Sequence, residues 1–406
     1  MTDTKNRRIV ALLLSLVMMI AACSVSMFAF AVDEELQDPT LDTDEFNPSL
    51  VESIESLDIK SYMHFGDSMS TGYMLGVAPE DVATTDPMTL THDETSALGP
   101  YTYGSYPSLI AEELGLESNQ WYSFAREGLS TNDIHRIMDP SYYYQMDDKA
   151  RRNSDQAFTL LSTFDELERM QTRCAQMLPN ADLITIGAGP NDIIIMPLMD
   201  LIFTLVDGIQ GNTLYSGIMQ QAASAAMTYL QAFNVAAAYD EVLTAAGAVG
   251  ALPEAMAGVG VSLARGYMYL QQNFEAMVNQ IRSVNKDAII VVLGGYNATR
   301  DLQFANVDMY RIGRNMGIFT TVMNLYWANT CPLRNEYYFV DIRNVDLPTW
   351  PYMMDWPSLL MGGGFMGYFM YCSHPSALGH QQIAEAVMNT LYQEDGTNTL
   401  PVSSLL

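Results

Sequence analysis

The chain has 406 residues, 49% of them hydrophobic, enough for a sizeable core in one large domain or two ordinary ones. Its 47 acidic and 19 basic residues give a net charge of −28. Such a surface repels nucleic acid and anionic membranes and excludes both as main partners.

Lys5, Arg7 and Arg8 precede an apolar run from Ile9 to Ala31 that ends in Ala29-Phe30-Ala31. This is the pattern of a cleaved secretory signal peptide over 1–31. The run is also long enough to serve as an uncleaved anchor. A third alternative comes from Ile20-Ala21-Ala22-Cys23, which resembles a bacterial lipoprotein box and would place a lipid on Cys23. Secretion is the expectation, with membrane anchoring through Cys23 as the alternative. Residues 32–58 are rich in Asp, Glu, Pro and Thr and read as a mobile acidic leader.

The folded domain is expected over 59–395, followed by a tail at 396–406. Ile59 to Phe65 reads as a strand running into Gly66-Asp67-Ser68, and Val77 to Pro100 as a long polar loop. Tyr106 to Leu114 has the pattern of a short helix, and 155–178 that of an amphipathic one. Cys174 falls on the apolar stripe of the latter with Phe164, Leu167, Met170 and Met177. Leu183 to Ile186 reads as a buried strand, followed at once by Gly189-Pro190-Asn191-Asp192. Residues 197–272 hold no convincing strand and read as an Ala/Met/Leu-rich helical insertion. It stands either as a cap that adds core or as a lid over a site, for which adaptable Met side chains suit. Phe274, Met277, Val278 and Ile281 mark a helix. Ala288 to Leu293 and Tyr337 to Ile342 read as strands, and Ala377 to Leu391 as the last helix. Strands alternating with helices predict an α/β fold with a mostly parallel sheet covered on both faces.

Cys174, Cys331 and Cys372 remain after a signal is removed, too few for a disulfide scaffold, although Cys331 and Cys372 are candidates to pair in an oxidising compartment. No Cys/His spacing fits a zinc site, and no motif for a nucleotide, flavin or metal is present. No cofactor is expected.

Serine is a weak nucleophile at neutral pH and needs a base, together with donors for the oxyanion that forms on the substrate. Ser68 stands just past a predicted strand, two residues after a glycine. Gly128 follows in Phe124-Ala125-Arg126-Glu127-Gly128-Leu129-Ser130-Thr131. Asn191 comes next, and His374-Pro375-Ser376 lies near the end. Pro375 biases His374 toward an extended conformation before the last helix, and Pro190 does the same for Gly189. Singly, each matches a turn or surface residue. As an ordered set, the four blocks resemble the SGNH hydrolase superfamily, also called GDSL esterases and lipases.

The resemblance spans about residues 59–393 and is silent over 197–272. It implies a flavodoxin-like three-layer α/β/α sandwich. It also implies Ser68 as nucleophile and His374 as general base, with oxyanion donors from the Ser68 and Gly128 backbone N–H groups and the Asn191 amide. One position departs from the family pattern. An Asp usually stands three residues before the His, and here that residue is Tyr371. Three outcomes follow: a backbone carbonyl in 369–372 orients the imidazole, a carboxylate such as Asp355 does so, or the scaffold is a non-catalytic binding protein. His64 reads as structural in the first strand. His92, His135 and His380 have no nameable partner, and Asp67 and Asp192 read as turn-shaping.

The aromatic and Met-rich stretch 351–372 is either a buried connector or an apolar wall for an acyl chain. The expected partner is a small-molecule, lipid or carbohydrate ester. An apolar acyl ester is the first choice, and a polysaccharide O-acetyl group is the alternative. Oligomeric state is not legible.

Overall fold

The computed structural model describes residues 58–77, 99–160, 163–193, 221–222, 224–225, 252–298, 320–321, 323–331, 336–348 and 371–392. The expected signal segment, nearly all of the acidic leader, the body of the polar loop, His92, most of 197–251, Asp355 and the tail lie outside these residues.

Five short strands form one parallel sheet: β1 (Tyr62–Gly66), β2 (Trp121–Ala125), β3 (Leu183–Gly187), β4 (Ile289–Leu293) and β5 (Tyr338–Val340). The spatial order is β2-β1-β3-β4-β5, the flavodoxin-like order. Every pair is parallel and in continuous register, as in Tyr62↔Trp121, Tyr62↔Leu183 and Leu183↔Ile289. Parallel strands buried on both faces read as near-continuous apolar runs, and Leu183-Ile184-Thr185-Ile186-Gly187 is buried at every position.

Alternate side chains of each strand feed two separate cores. Met63, Phe65, Ile184, Ile186, Ile290 and Val292 pack with Ile134, Leu167 and Phe274. These come from α3 (Thr131–Met138), α5 (Phe164–Met177) and α6 (Leu252–Val284). On the other face Tyr62, Leu183, Val291 and Leu293 pack with Ile110 and Ile383, from α2 (Tyr106–Glu113) and α7 (Ala377–Tyr392). Helices α1 (Ser68–Thr71) and α4 (Asp148–Leu160) complete the described set of labelled elements. The architecture is therefore a three-layer α/β/α sandwich.

Three local features differ from expectation. The single amphipathic helix over 155–178 is two helices, α4 and α5. Thr163 is extended (φ −138°, ψ 157°), and its hydroxyl accepts from the Glu166 N–H at 3.1 Å, starting a new helix. The helical run expected to stop near 272 instead passes unbroken through that position as part of α6. Strand β2 was not foreseen, because Trp121-Tyr122-Ser123-Phe124-Ala125 carries aromatics at successive positions and shows no clear alternation.

The disulfide considered between Cys331 and Cys372 is absent: both thiols, and that of Cys174, are buried and outside any disulfide. Burial pushes all three up to about 12. The Cys331 thiol is occupied in donating to the Tyr337 carbonyl at 3.0 Å.

The cap at Thr163 is exposed and local, so Thr163→Ala tests it cleanly. Its loss is expected to lower unfolding stability by about 1 kcal/mol, read as a reduced urea midpoint with an unchanged slope.

Candidate active site

In a sheet of this order, the crevice where strand order reverses opens between β1 and β3 at their carboxyl ends. Ser68 follows β1 there, and Asn191 follows β3. Gly128 lies three residues past the end of β2, the strand flanking β1 on the other side. His374 enters from the turn just before α7. The four sequence-predicted residues thus converge on one edge of the sheet.

The decisive contact joins residues 306 apart in sequence: His374 Nε2 lies 2.9 Å from Ser68 Oγ. Ser68 is the first residue of α1. Asp67 caps this short helix by accepting from the Met69 N–H at 3.0 Å. Gly66 has no side chain to collide with Ser70 or with His64 Nε2, which an added Cβ would approach to 2.7 Å. His374 Nδ1 faces the Ser373 hydroxyl at 3.4 Å, at the outer limit of a hydrogen bond. The Tyr296 hydroxyl holds the Ser373 carbonyl at 2.9 Å, and the Tyr73 ring packs 5.2 Å from the imidazole. Of the two orienting groups considered, Asp355 and residues 369–370 lie outside the described residues, whereas Tyr371 and Cys372 are helical.

Gly128 has φ +73°, a conformation glycine adopts at no steric cost. Neither its N–H nor that of Ser68 has an acceptor among the described residues. The Asn191 amide nitrogen donates to the Leu129 carbonyl at 2.9 Å and sits 3.4 Å from Asp67 Oδ2. The loop after β2 is tied to the Ser68 helix as well, because the Thr71 hydroxyl donates to Glu127 Oε1 at 2.7 Å. Arg126 lies 3.6 Å from the Glu127 carboxylate and 3.7 Å from that of Glu166, and all three are buried.

The family model for GDSL-like Lipase/Acylhydrolase matches residues 62–387. The chain belongs to that family and is an ester hydrolase. Among solved structures, this GDSL-like hydrolase is similar to an extracellular lipase from Streptomyces rimosus, at 15% identity and a TM-score of 0.40, covering 81% of this chain and 99% of that one. It is also similar to a phospholipase A1 from Streptomyces albidoflavus NA297, at 14% identity and a TM-score of 0.39, covering 82% and 99%. No curated protein matches it.

Among the described residues, the other three histidines of the GDSL-like domain find structural roles. His64 is fully buried, with Nδ1 2.6 Å from Thr185 Oγ1 and Nε2 3.2 Å from Tyr106 Oη. His380 Nδ1 accepts from the Tyr106 N–H at 3.2 Å, so the neutral ring carries its proton on Nε2. His135 stacks on Tyr142 at 3.7 Å and bonds Asn273. Asp67 accepts from the Met69 N–H in its own turn, whereas the Asp192 carboxylate accepts from Thr131 on the loop after β2, and burial pushes both carboxyls up to about 7. Thr131 and Asn273, which the sequence reading passed over, contact Asp192 and Thr131 respectively. The available signal for Asn273 was its place on an otherwise apolar helix stripe, between Leu270 and Met277.

Burial holds His64 and His380 down at about 3, and for His380 the nearby His374 adds to the effect. An unfolded histidine takes up its proton near 6.5. Each therefore contributes stability that is present above pH 6.5 and lost as pH falls toward 3. Asp67 and Asp192, raised from 3.8, act in the opposite sense. Their contribution is fully present below 3.8 and lost as pH rises through about 7. A single variant separates the two effects. His380→Gln is expected to be less stable than wild type at pH 7, with the gap closing by up to about 1.4 kcal/mol per pH unit below 6.5. Urea midpoints at pH 7, 5.5 and 4 measure this, and a constant gap would count against it.

Proposed function

We propose that this chain is a secreted carboxylesterase or lipase that cleaves an acyl ester through a covalent Ser68 intermediate, with His374 as general base. The observation that supports it most is the 2.9 Å contact between Ser68 Oγ and His374 Nε2 at the carboxyl edge of the sheet.

In this reading His374 Nε2 takes the hydroxyl proton as Ser68 Oγ attacks the ester carbonyl, and the carbonyl oxygen gains the negative charge. The uncommitted Ser68 and Gly128 N–H groups receive that charge. So does the Asn191 N–H not engaged by Leu129, since its 3.4 Å contact to Asp67 is weak enough to yield to an oxyanion. Collapse expels the alkoxide, which recovers the proton from His374. Water then repeats the sequence on the acyl-enzyme and releases the carboxylic acid.

The half-buried Asn191 and Ser68 keep the nucleophile accessible, while His374 is buried in the turn before α7. The imidazole needs orientation more than it needs a charge behind it, so a hydroxyl or carbonyl on Nδ1 in place of a carboxylate is compatible with activity. Secretion is supported by the basic, apolar and small-residue pattern of 1–31. An apolar acyl group is supported by the Met and aromatic composition of the segment leading into His374.

Steady-state hydrolysis of p-nitrophenyl esters tests this. Ser68→Ala and His374→Ala are each expected to lower kcat by roughly 10⁶, and Asn191→Ala by roughly 10²–10³. Octanoate should be favoured over acetate in kcat/KM. Strong preference for acetate would redirect the substrate toward O-acetylated carbohydrate, and full activity in Ser68→Ala would refute the mechanism.

A further inference from the structure

We infer that Thr131 and Asp192 are positioning residues that set the separation of the Gly128 N–H and the Asn191 amide, and that α6 braces them through Asn273. The inference rests on reading Gly128 and Asn191 as oxyanion donors.

The loop after β2 and the loop after β3 are stitched by bonds running in both directions. Asn191 donates to the Leu129 carbonyl at 2.9 Å. Two residues along, Thr131 returns two bonds to the residue after Asn191: its N–H reaches Asp192 Oδ2 at 2.9 Å and its hydroxyl reaches Oδ1 at 2.6 Å. Gly128 stands just before this stitched stretch. A shift of either loop would change the distance between the two donors.

The stitch is enclosed. Asp192 is 0% exposed and Thr131 1%, so water does not compete for these bonds. Behind Thr131, Asn273 of α6 donates to the Thr131 hydroxyl at 3.3 Å and to Asn132 Oδ1 at 2.8 Å. Its own oxygen meets His135 Nδ1 at 3.2 Å, and Tyr142 closes the set by donating to Asn132 at 2.7 Å. On the same helix, the backbone at Gly266 lies so close to the Asp192 carbonyl that any Cβ there would overlap it. Apolar residues would fill this volume at lower desolvation cost. A connected polar set in its place, ending one residue from Asn191, points to placement of that amide.

A purely structural role would lower stability and leave the chemical step alone, so a kinetic cycle with Asn191 distinguishes the two. On p-nitrophenyl butyrate, Thr131→Val is expected to lower kcat roughly tenfold with KM within twofold. Thr131→Ser, which keeps the hydroxyl, should restore it. Thr131→Val combined with Asn191→Ala should be no slower than Asn191→Ala alone, because the threonine acts through that amide. A Thr131→Val kcat within twofold of wild type, or deficits that multiply in the double variant, would overturn the inference. If Thr131→Val does not fold, Asp192→Asn is read in the same cycle with the same criteria. An Asn191→Ala enzyme at full kcat would instead remove the oxyanion reading, and the positioning role with it.

Discussion

The contact between the Ser68 hydroxyl and the His374 imidazole is the constraint on which the site turns. It closes a sequence separation of 306 residues to 2.9 Å, and it exists because both flanking segments end at the same sheet edge. Parallel strands require crossover connections, and the point where the crossovers change direction leaves an open crevice between neighbouring strands. Ser68 and Asn191 leave adjacent strands at that point. The strand spacing brings the two segments together, and the bonds between the loops fix where the side chains stand.

Satisfied burial provides the rigidity. Thr71 to Glu127, Asn191 to Leu129 and Thr131 to Asp192 each join a loop to a different loop or helix at the sheet edge. In a buried setting a broken bond leaves an unpaired polar group, which costs more than an intact bond contributes. The loops are thereby held in one arrangement, while the N–H groups of Ser68 and Gly128 have no acceptor among the described residues. On the far side of β1, the chain Tyr62–Thr185–His64–Tyr106–Ser70 supports the Ser68 helix through hydroxyls and a neutral imidazole. Its neutrality follows from depth, since burial holds His64 at about 3.

Much of this was legible in the chain because the signals were local. Buried strands β3 and β4 announce themselves as Leu-Ile-Thr-Ile and Ile-Ile-Val-Val-Leu, and the order of the Ser68, Gly128, Asn191 and His374 blocks carried the family resemblance. What stayed hidden was polar burial. Helix α3 reads Thr-Asn-Asp-Ile-His-Arg-Ile-Met, with an apolar stripe of only Ile134, Ile137 and Met138, yet every residue of it is buried. Its polar side chains are paired with groups distant in sequence, as Arg136 is with Asp155 and His135 is with Asn273. Periodicity analysis assumes that polar means exposed, and it fails where polar residues hold a site together. Strand β2 was missed for a related reason: Ser123 faces inward beside His64, breaking the expected alternation.

The central claim is that Ser68, activated by His374, is the group that attacks. Reaction of the folded protein with a fluorophosphonate, followed by peptide mapping, tests it most directly. One phosphonate per chain on the peptide bearing Ser68, with labelling abolished in His374→Ala, is the predicted result. Folded protein that takes up no label, or an adduct on another serine such as Ser130, would contradict it.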